Sequence, residues 1–224
     1  MRLVPDVARL LLMALLLASP LAGAAEAEWK LEKDTAGVQV YTRPVDGWSI
    51  REMRGVVRID ARLSSVVAVI NDVTALHELS DVVARAEVQK HESDTRYQVY
   101  SQMKMPWPVS NRDILNQRTI TQDPATLAVT ITDTATEDQL ALKQDYVRIL
   151  KSRQTWTLTP QPGGGVAVET RTLSDPNGPI PASLINSMAV STPFKTLSKL
   201  KEMAQRPSYA QASLAFIKEP PAKS

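Results

Sequence analysis

The sequence contains no cysteine. No disulfide can staple the fold and no thiolate can hold a soft metal, so packing alone must stabilise the chain. Only two histidines occur, His77 and His91, far apart and outside any metal-ligand spacing, so no metal site is expected. The formal net charge is +2, too near neutral to mark a nucleic-acid binder or a partner of highly acidic molecules. No serine stands in a G-x-S-x-G elbow. The run Gly163-Gly164-Gly165 lacks the Lys-Ser/Thr that completes a phosphate loop, and reads as a hairpin turn. Glu137, Asp138 and Glu202 read as solvated acids rather than paired catalytic carboxylates. Catalysis therefore has little to draw on.

What is present begins with a leader. Arg2 and Arg9 accompany the apolar stretch Leu10 to Ala18, and small residues follow, with Ala22-Gly23-Ala24 fitting the A-x-A cleavage rule. The stretch is too short to span a hydrocarbon layer of ~30 Å as a helix. The expectation is a cleavable export signal over residues 1–24, with cleavage after Ala27 as the second option. One domain follows over 28–206, and then a loosely held Pro- and Ala-containing tail over 207–224. No cysteine adjoins the cleavage site, so no thioether lipid anchor is expected there. The expected compartment is a bacterial periplasm, with full secretion as second choice.

Strand patterns dominate the middle of the chain. Val38–Arg43 and Ile50–Ile59 alternate, and then Leu63, Val66, Val67, Ile70 and Val73 follow helical spacing. Strands resume over Val83–Lys90, Arg96–Met105, Arg112–Thr121, Leu127–Ala135, Tyr146–Thr159 and Val166–Leu173, linked by short turns as in a curved antiparallel sheet. After Asp175 the period becomes helical, with Leu184, Ile185 and Met188 in one apolar patch and Phe194, Leu197, Leu200 and Met203 in the next. Pro193 between them predicts a kink or a restart. The fold class is α+β: a long C-terminal helix laid into the concave face of a curved sheet. Periodicity does not decide whether that concavity is filled or hollow.

Four motifs then stand in order. They are Trp29 with Gly37-Val38-Gln39-Val40-Tyr41-Thr42-Arg43, Pro106-Trp107-Pro108-Val109-Ser110-Asn111-Arg112-Asp113, Trp156-Thr157-Leu158-Thr159-Pro160, and Asp175-Pro176-Asn177-Gly178-Pro179-Ile180-Pro181. Together they resemble the START (StAR-related lipid-transfer) domains, over about Trp29 to Arg206. The resemblance implies a helix-grip fold of the START/Bet v 1 kind, with a tunnel between sheet and last helix holding one apolar ligand, and no cofactor. A lipid or similar hydrophobic molecule is the implied partner, and a monomer is expected. Related helix-grip proteins include polyketide cyclases and aromatases, so an enzyme of that type is the alternative.

Period two sorts the expected cavity residues. Tyr97, Val99, Ser101, Met103 and Met105 share one face of a strand, and Arg112, Ile114, Asn116, Arg118 and Ile120 one face of the next. Leu184 and Met188 face them from the helix. By the resemblance Arg118 takes the place of a cavity arginine that an acid on the preceding strand usually neutralises. Here that strand reads Tyr100-Ser101-Gln102. Arg118 is then expected to bind an acidic head group or to pair with Glu169 or Asp113. Arg112 and Asp113 are expected to form a structural salt bridge. The loop Met105–Asn111 corresponds to the family's lid, and its Trp107 either touches a membrane or plugs the cavity. Lys195, Lys199 and Lys201 read as a solvated face.

Overall fold

The computed structural model describes residues 27–136 and 140–221. The leader read in residues 1–24, and Glu137 and Asp138, lie outside them. Ten strands form one sheet: β1 (Lys30–Thr35), β2 (Val38–Pro44), β3 (Arg51–Ile59), β4 (Val83–Ser93), β5 (Arg96–Met103), β6 (Asn111–Gln122), β7 (Val129–Ala135), β8 (Tyr146–Arg148), β9 (Lys151–Pro160) and β10 (Val166–Asp175). Their order is β1-β2-β3-β10-β9-β7-β6-β5-β4, with β8 set beside β6. Helices α1 (Leu63–Asn71) and α2 (Leu76–Leu79), joined by a single 3-10 turn, sit between β3 and β4, while α3 (Ala182–Met203) and the short α4 (Pro207–Ala210) follow the last strand.

Alternation along the strands produces a two-faced sheet. On β2 the inward side chains are Val38, Val40 and Thr42, all buried, and on β3 they include Val57 and Ile59. On β10 the inward series starts apolar at Val166 and Val168 and turns to hydroxyls at Thr170, Thr172 and Ser174. The apolar end of each series meets α1 and the C-terminal half of α3. There Val66, Val67, Leu197, Leu200 and Met203 are fully buried in one hydrophobic cluster. Gly55 lets α3 come this close, because a Cβ there would lie 2.6 Å from Leu197 Cδ1. One end of the grip is therefore a packed core.

Four features differ from the sequence expectation. Strand β1 was not foreseen: its Lys-Leu-Glu-Lys-Asp-Thr sequence carries no apolar alternation, and only its place as a sheet edge, paired with β2, makes it a strand. The expected single strand Tyr146–Thr159 is two, and β8 runs parallel to β6, so the sheet is not wholly antiparallel. Helix α3 runs unbroken through Pro193, which is buried. Proline removes one intrahelical hydrogen bond, yet the helix continues past it, so of the two expectations the restart does not occur.

Within the tail, residues 209–219 are also packed, which corrects the expectation of a loose one. Ile217 is buried in the main cluster, and Leu214 and Phe216 pack against it. Tyr209 donates to Asp72 Oδ2 at 2.8 Å. Gln122 clamps Lys218 through its backbone N–H and C=O. Glu219 accepts the backbone N–H of Ser64 at 2.7 Å, supplying from the tail the cap that α1 lacks in its own sequence.

Candidate ligand cavity

The other end of the grip is hollow. An inner chamber of about 240 Å³ lies between α3, α2 and the inward faces of β3, β5, β6, β9 and β10. Its walls include Met53, Val99, Ser101, Met103, Ile114, Asn116, Arg118, Gln154, Trp156, Thr170 and Pro193. An outer chamber of about 190 Å³ follows toward the loops, lined by Ile50, Met105, Ile180, Ile185, Met188 and Ala189 among others. Met53, Met103, Ile149, Ser174 and Thr192 line both, so the two chambers adjoin.

The expected residues divide accordingly. Val99, Ser101, Met103, Ile114, Asn116 and Arg118 line the inner chamber, and Met103, Met105 and Met188 the outer one. Ile120 belongs instead to the packed core, one pleat beyond the hollow. Leu184 is half-buried and lines neither chamber. Tyr97 is buried beyond the chamber floor, where it donates to Asn71 and stacks with His91.

Arg118 forms that floor. It makes a two-pronged pair with Asp133, with Nε to Oδ1 and Nη2 to Oδ2 both at 2.8 Å, and its Nη1 donates to the Ile70 carbonyl at 2.8 Å. Ile70 is in the last turn of α1, where a cation also meets the negative end of the helix dipole. Both side chains are about 95 % buried. Burial by itself disfavours the guanidinium charge, but Asp133 outweighs it and holds Arg118 above its ordinary pKa. Arg118 is thus already paired, and the expected pair with Glu169 or Asp113 does not form. Glu169 lies on the convex face with Arg54 and Arg171.

The expected Arg112–Asp113 salt bridge is also corrected. Neighbours on a strand point to opposite faces, and these two have separate partners. Asp113 takes a two-pronged pair from Arg148 at 2.8 and 2.9 Å and a hydrogen bond from Tyr100. Burial pushes the Asp113 pKa up, but Arg148 and Tyr100 outweigh it and leave it below the usual carboxylate value. Arg112 instead donates to the carbonyls of Ser110, Pro176 and Asn177. It stitches the β5–β6 loop to the loop before α3, joining two of the sequence motifs in space.

Trp107, at the tip of the β5–β6 loop, is 93 % exposed and is not a plug. The residues that sequence reasoning missed include Met53, Ser152, Gln154, Thr170 and Thr172 from β3, β9 and β10, Asp133 from β7, and Leu76 and Leu79 from α2. Part of their signal was legible. On β9 and β10 the inward face changes from large apolar side chains to small or polar ones, as a wall does when it leaves a core and borders a void. Among the described residues no group of histidines and acids could hold a metal ion.

A curved sheet gripping a helix, with a packed core at one end and two adjoining pockets at the other, defines a helix-grip domain. The START domain family model matches residues 12–208, and the chain belongs to that family. An uncharacterised protein of Pseudomonas aeruginosa is 33% identical over 186 residues, covering 83% of this chain and 91% of that protein. The solved STAR-related lipid transfer protein from Xanthomonas axonopodis is 38% identical, with a TM-score of 0.73, covering 80% of this chain and 99% of that one. Human StAR-related lipid transfer protein 5 shares the fold at 17% identity, with a TM-score of 0.70, covering 79% of this chain and 86% of that one.

Proposed function

We propose that this chain binds a lipid or other hydrophobic small molecule in the two adjoining chambers and carries it through the aqueous space of a bacterial envelope. The observation that bears most weight is the hollow end of the grip, walled by methionines, aliphatic side chains and hydroxyls. Such a mixture suits an apolar ligand oriented by a few polar contacts, and methionine adapts to exchangeable partners. Its name makes the Xanthomonas relative a lipid transfer protein, which points the same way.

Binding is favoured over catalysis by the titratable groups of the walls. Among the described residues lining the inner chamber these are Arg118 and Asp133, each committed to the other. No acid or base stands free to move a proton. The polyketide cyclase or aromatase alternative would have to draw on the wall hydroxyls and the paired Arg118. The leader read in residues 1–24 is the basis for the periplasmic assignment. Among the described residues no helix is long and apolar enough to cross a membrane. The exposed Trp107, an amphipathic ring suited to the interface between headgroups and acyl chains, is the proposed point of transient membrane contact.

Purification of the processed protein from its own cell envelope, followed by native mass spectrometry and extraction, tests the reading. An apolar molecule bound one to one is expected. Ligand-free protein that also binds nothing across a broad lipid panel would overturn it.

A further inference from the structure

We infer that the inner chamber is closed by an ionic latch, in which the Asp81–Lys195 pair holds the turn Ser80–Val82 against α3 and sets the rate of ligand exchange. The inference rests on the cavity being a ligand site, and names what regulates access to it.

One wall of the inner chamber is a joint between two segments. Ser80 and Val82, from the turn after α2, and Val83 at the start of β4 line one side, and Thr192, Pro193 and Thr196 of α3 line the other. From Leu197 to Met203 the helix is locked in place by fully buried apolar side chains. Toward the chamber that interlock ends, and the side chains bordering the joint are small. They bury little apolar area, so packing holds the joint weakly.

Among the described residues, one hydrogen-bonded contact crosses this joint. Lys195 Nζ donates to Asp81 Oδ2 at 2.6 Å, and both side chains are about half exposed. The joint starts at the root of the Met105–Asn111 loop, where the Lys104 N–H donates to the Val82 carbonyl at 2.9 Å. Leu79, just before the turn, is anchored in the core, so the turn can flex while α2 stays. Just after the turn, β4 is a border of the sheet, and its pairing with β5 slips register between Val83 and Arg85. A turn that feeds an irregular edge strand has less backbone holding it than one inside a regular ladder.

A second ion pair supplies the contrast. Arg206 Nη1 donates to Glu78 Oε2 at 2.6 Å, and so also ties α2 to the end of α3. Glu78 and Arg206 line neither chamber, and Met203 and Ala204 beside Arg206 are buried in the packed core. Two exposed ion pairs thus join the same two regions, and only the Asp81–Lys195 pair spans a wall of the cavity. Exposed pairs are weak and screened by salt. Those properties suit a latch, which must open often and close again.

The test follows a neutral dye, N-phenyl-1-naphthylamine, whose charge gives salt nothing to act on. Dye-loaded protein is mixed with excess phosphatidylcholine vesicles, and dye loss is followed by stopped-flow fluorescence. Loss from the parent should quicken about two- to fivefold between about 10 mM and about 0.5 M sodium chloride. Asp81→Asn should lose dye at the fast rate at both salt concentrations, with equilibrium affinity and melting temperature unchanged. Glu78→Gln should keep the parent's rate and its salt response. Because the sequence has no cysteine, Asp81→Cys combined with Lys195→Cys offers the sole pair of thiols to a short bis-maleimide. That bridge should slow dye loss about tenfold or more, as a shut gate does and a surface-bound dye would not show. A salt-independent parent, an Asp81→Asn rate equal to the parent's at low salt, or a bridge without effect would overturn the latch and leave the cavity reading intact. Glu78→Gln speeding loss as much as Asp81→Asn would also overturn it, by making the effect one of general loosening. Absence of saturable dye binding in the parent would remove the cavity reading and this inference together.

Discussion

At the residue scale, the Arg118–Asp133 pair separates the packed end of the grip from the hollow one. Each side chain is buried and satisfied chiefly by the other, so removing one strands a charge. Asp133→Asn should lower unfolding stability by about 3–5 kcal/mol, whereas Arg118→Met with Asp133→Leu should recover most of that loss. Equilibrium urea unfolding of the singles and the double measures it. Singles within about 1 kcal/mol of the parent would mean that solvent reaches the pair. The inward direction of Arg118 was legible from period two, but its partner was not, because the positions considered for an acid stand on the preceding strand, on its own strand or at Glu169. The partner lies on the following strand. The six residues from Asp123 to Ala128 turn β6 back so that Gln122 faces Val129, and counting back from there sets Arg118 opposite Asp133. The family resemblance drew attention to the wrong neighbour, and hairpin arithmetic held the right one. Arg112 and Asp113 failed as a pair for a simpler reason, since adjacency along a strand is separation across it.

At the element scale, α1 is completed by a segment far away in sequence. Arg62 at its N-cap makes no side-chain cap, and Glu219 takes an orphan N–H instead. Glu219→Ala is expected to cost about 1 kcal/mol, the usual worth of a helix cap. Ile217→Ala, which empties part of the core cluster, should cost about 2 kcal/mol or more. Thermal or denaturant unfolding of both variants checks this. A neutral Ile217→Ala would show the tail to be detachable. Composition alone suggested a loose tail, because Pro220 and Pro221 and scattered alanines outweighed the run Leu214-Ala215-Phe216-Ile217. That run has neither helical nor strand period, and only tertiary contact reveals its use. The central strands and α3 were legible because their apolar faces are long and regular. Strands β1 and β8 were not, one being charged and the other only three residues long.

At the scale of the whole molecule, the hollow end, the Met105–Asn111 loop and the N-terminal half of α3 lie together. Helix α3 is anchored by Leu197, Leu200 and Met203 at one end and is half-exposed at the other. Ligand passage is therefore expected on the Trp107 side. Trp107→Ala should slow transfer between phospholipid vesicles several-fold while leaving equilibrium affinity and melting temperature unchanged. Transfer assays with a donor and an acceptor vesicle population check this. An unchanged rate would remove the indole from the membrane contact, and a lowered melting temperature would assign it to packing.

The open sheet leaves two borders, β1 and β4. The pairing of β1 with β2 is broken by one register shift, and that of β4 with β5 by three. Both borders carry charged side chains, Lys30, Glu32 and Lys33 on one and Arg85, Glu87, Lys90 and Glu92 on the other. A rim that is bent and charged is a poor template for another chain's backbone. Among the described strands, these two borders thus present no ready seam along which copies could stack into fibrils.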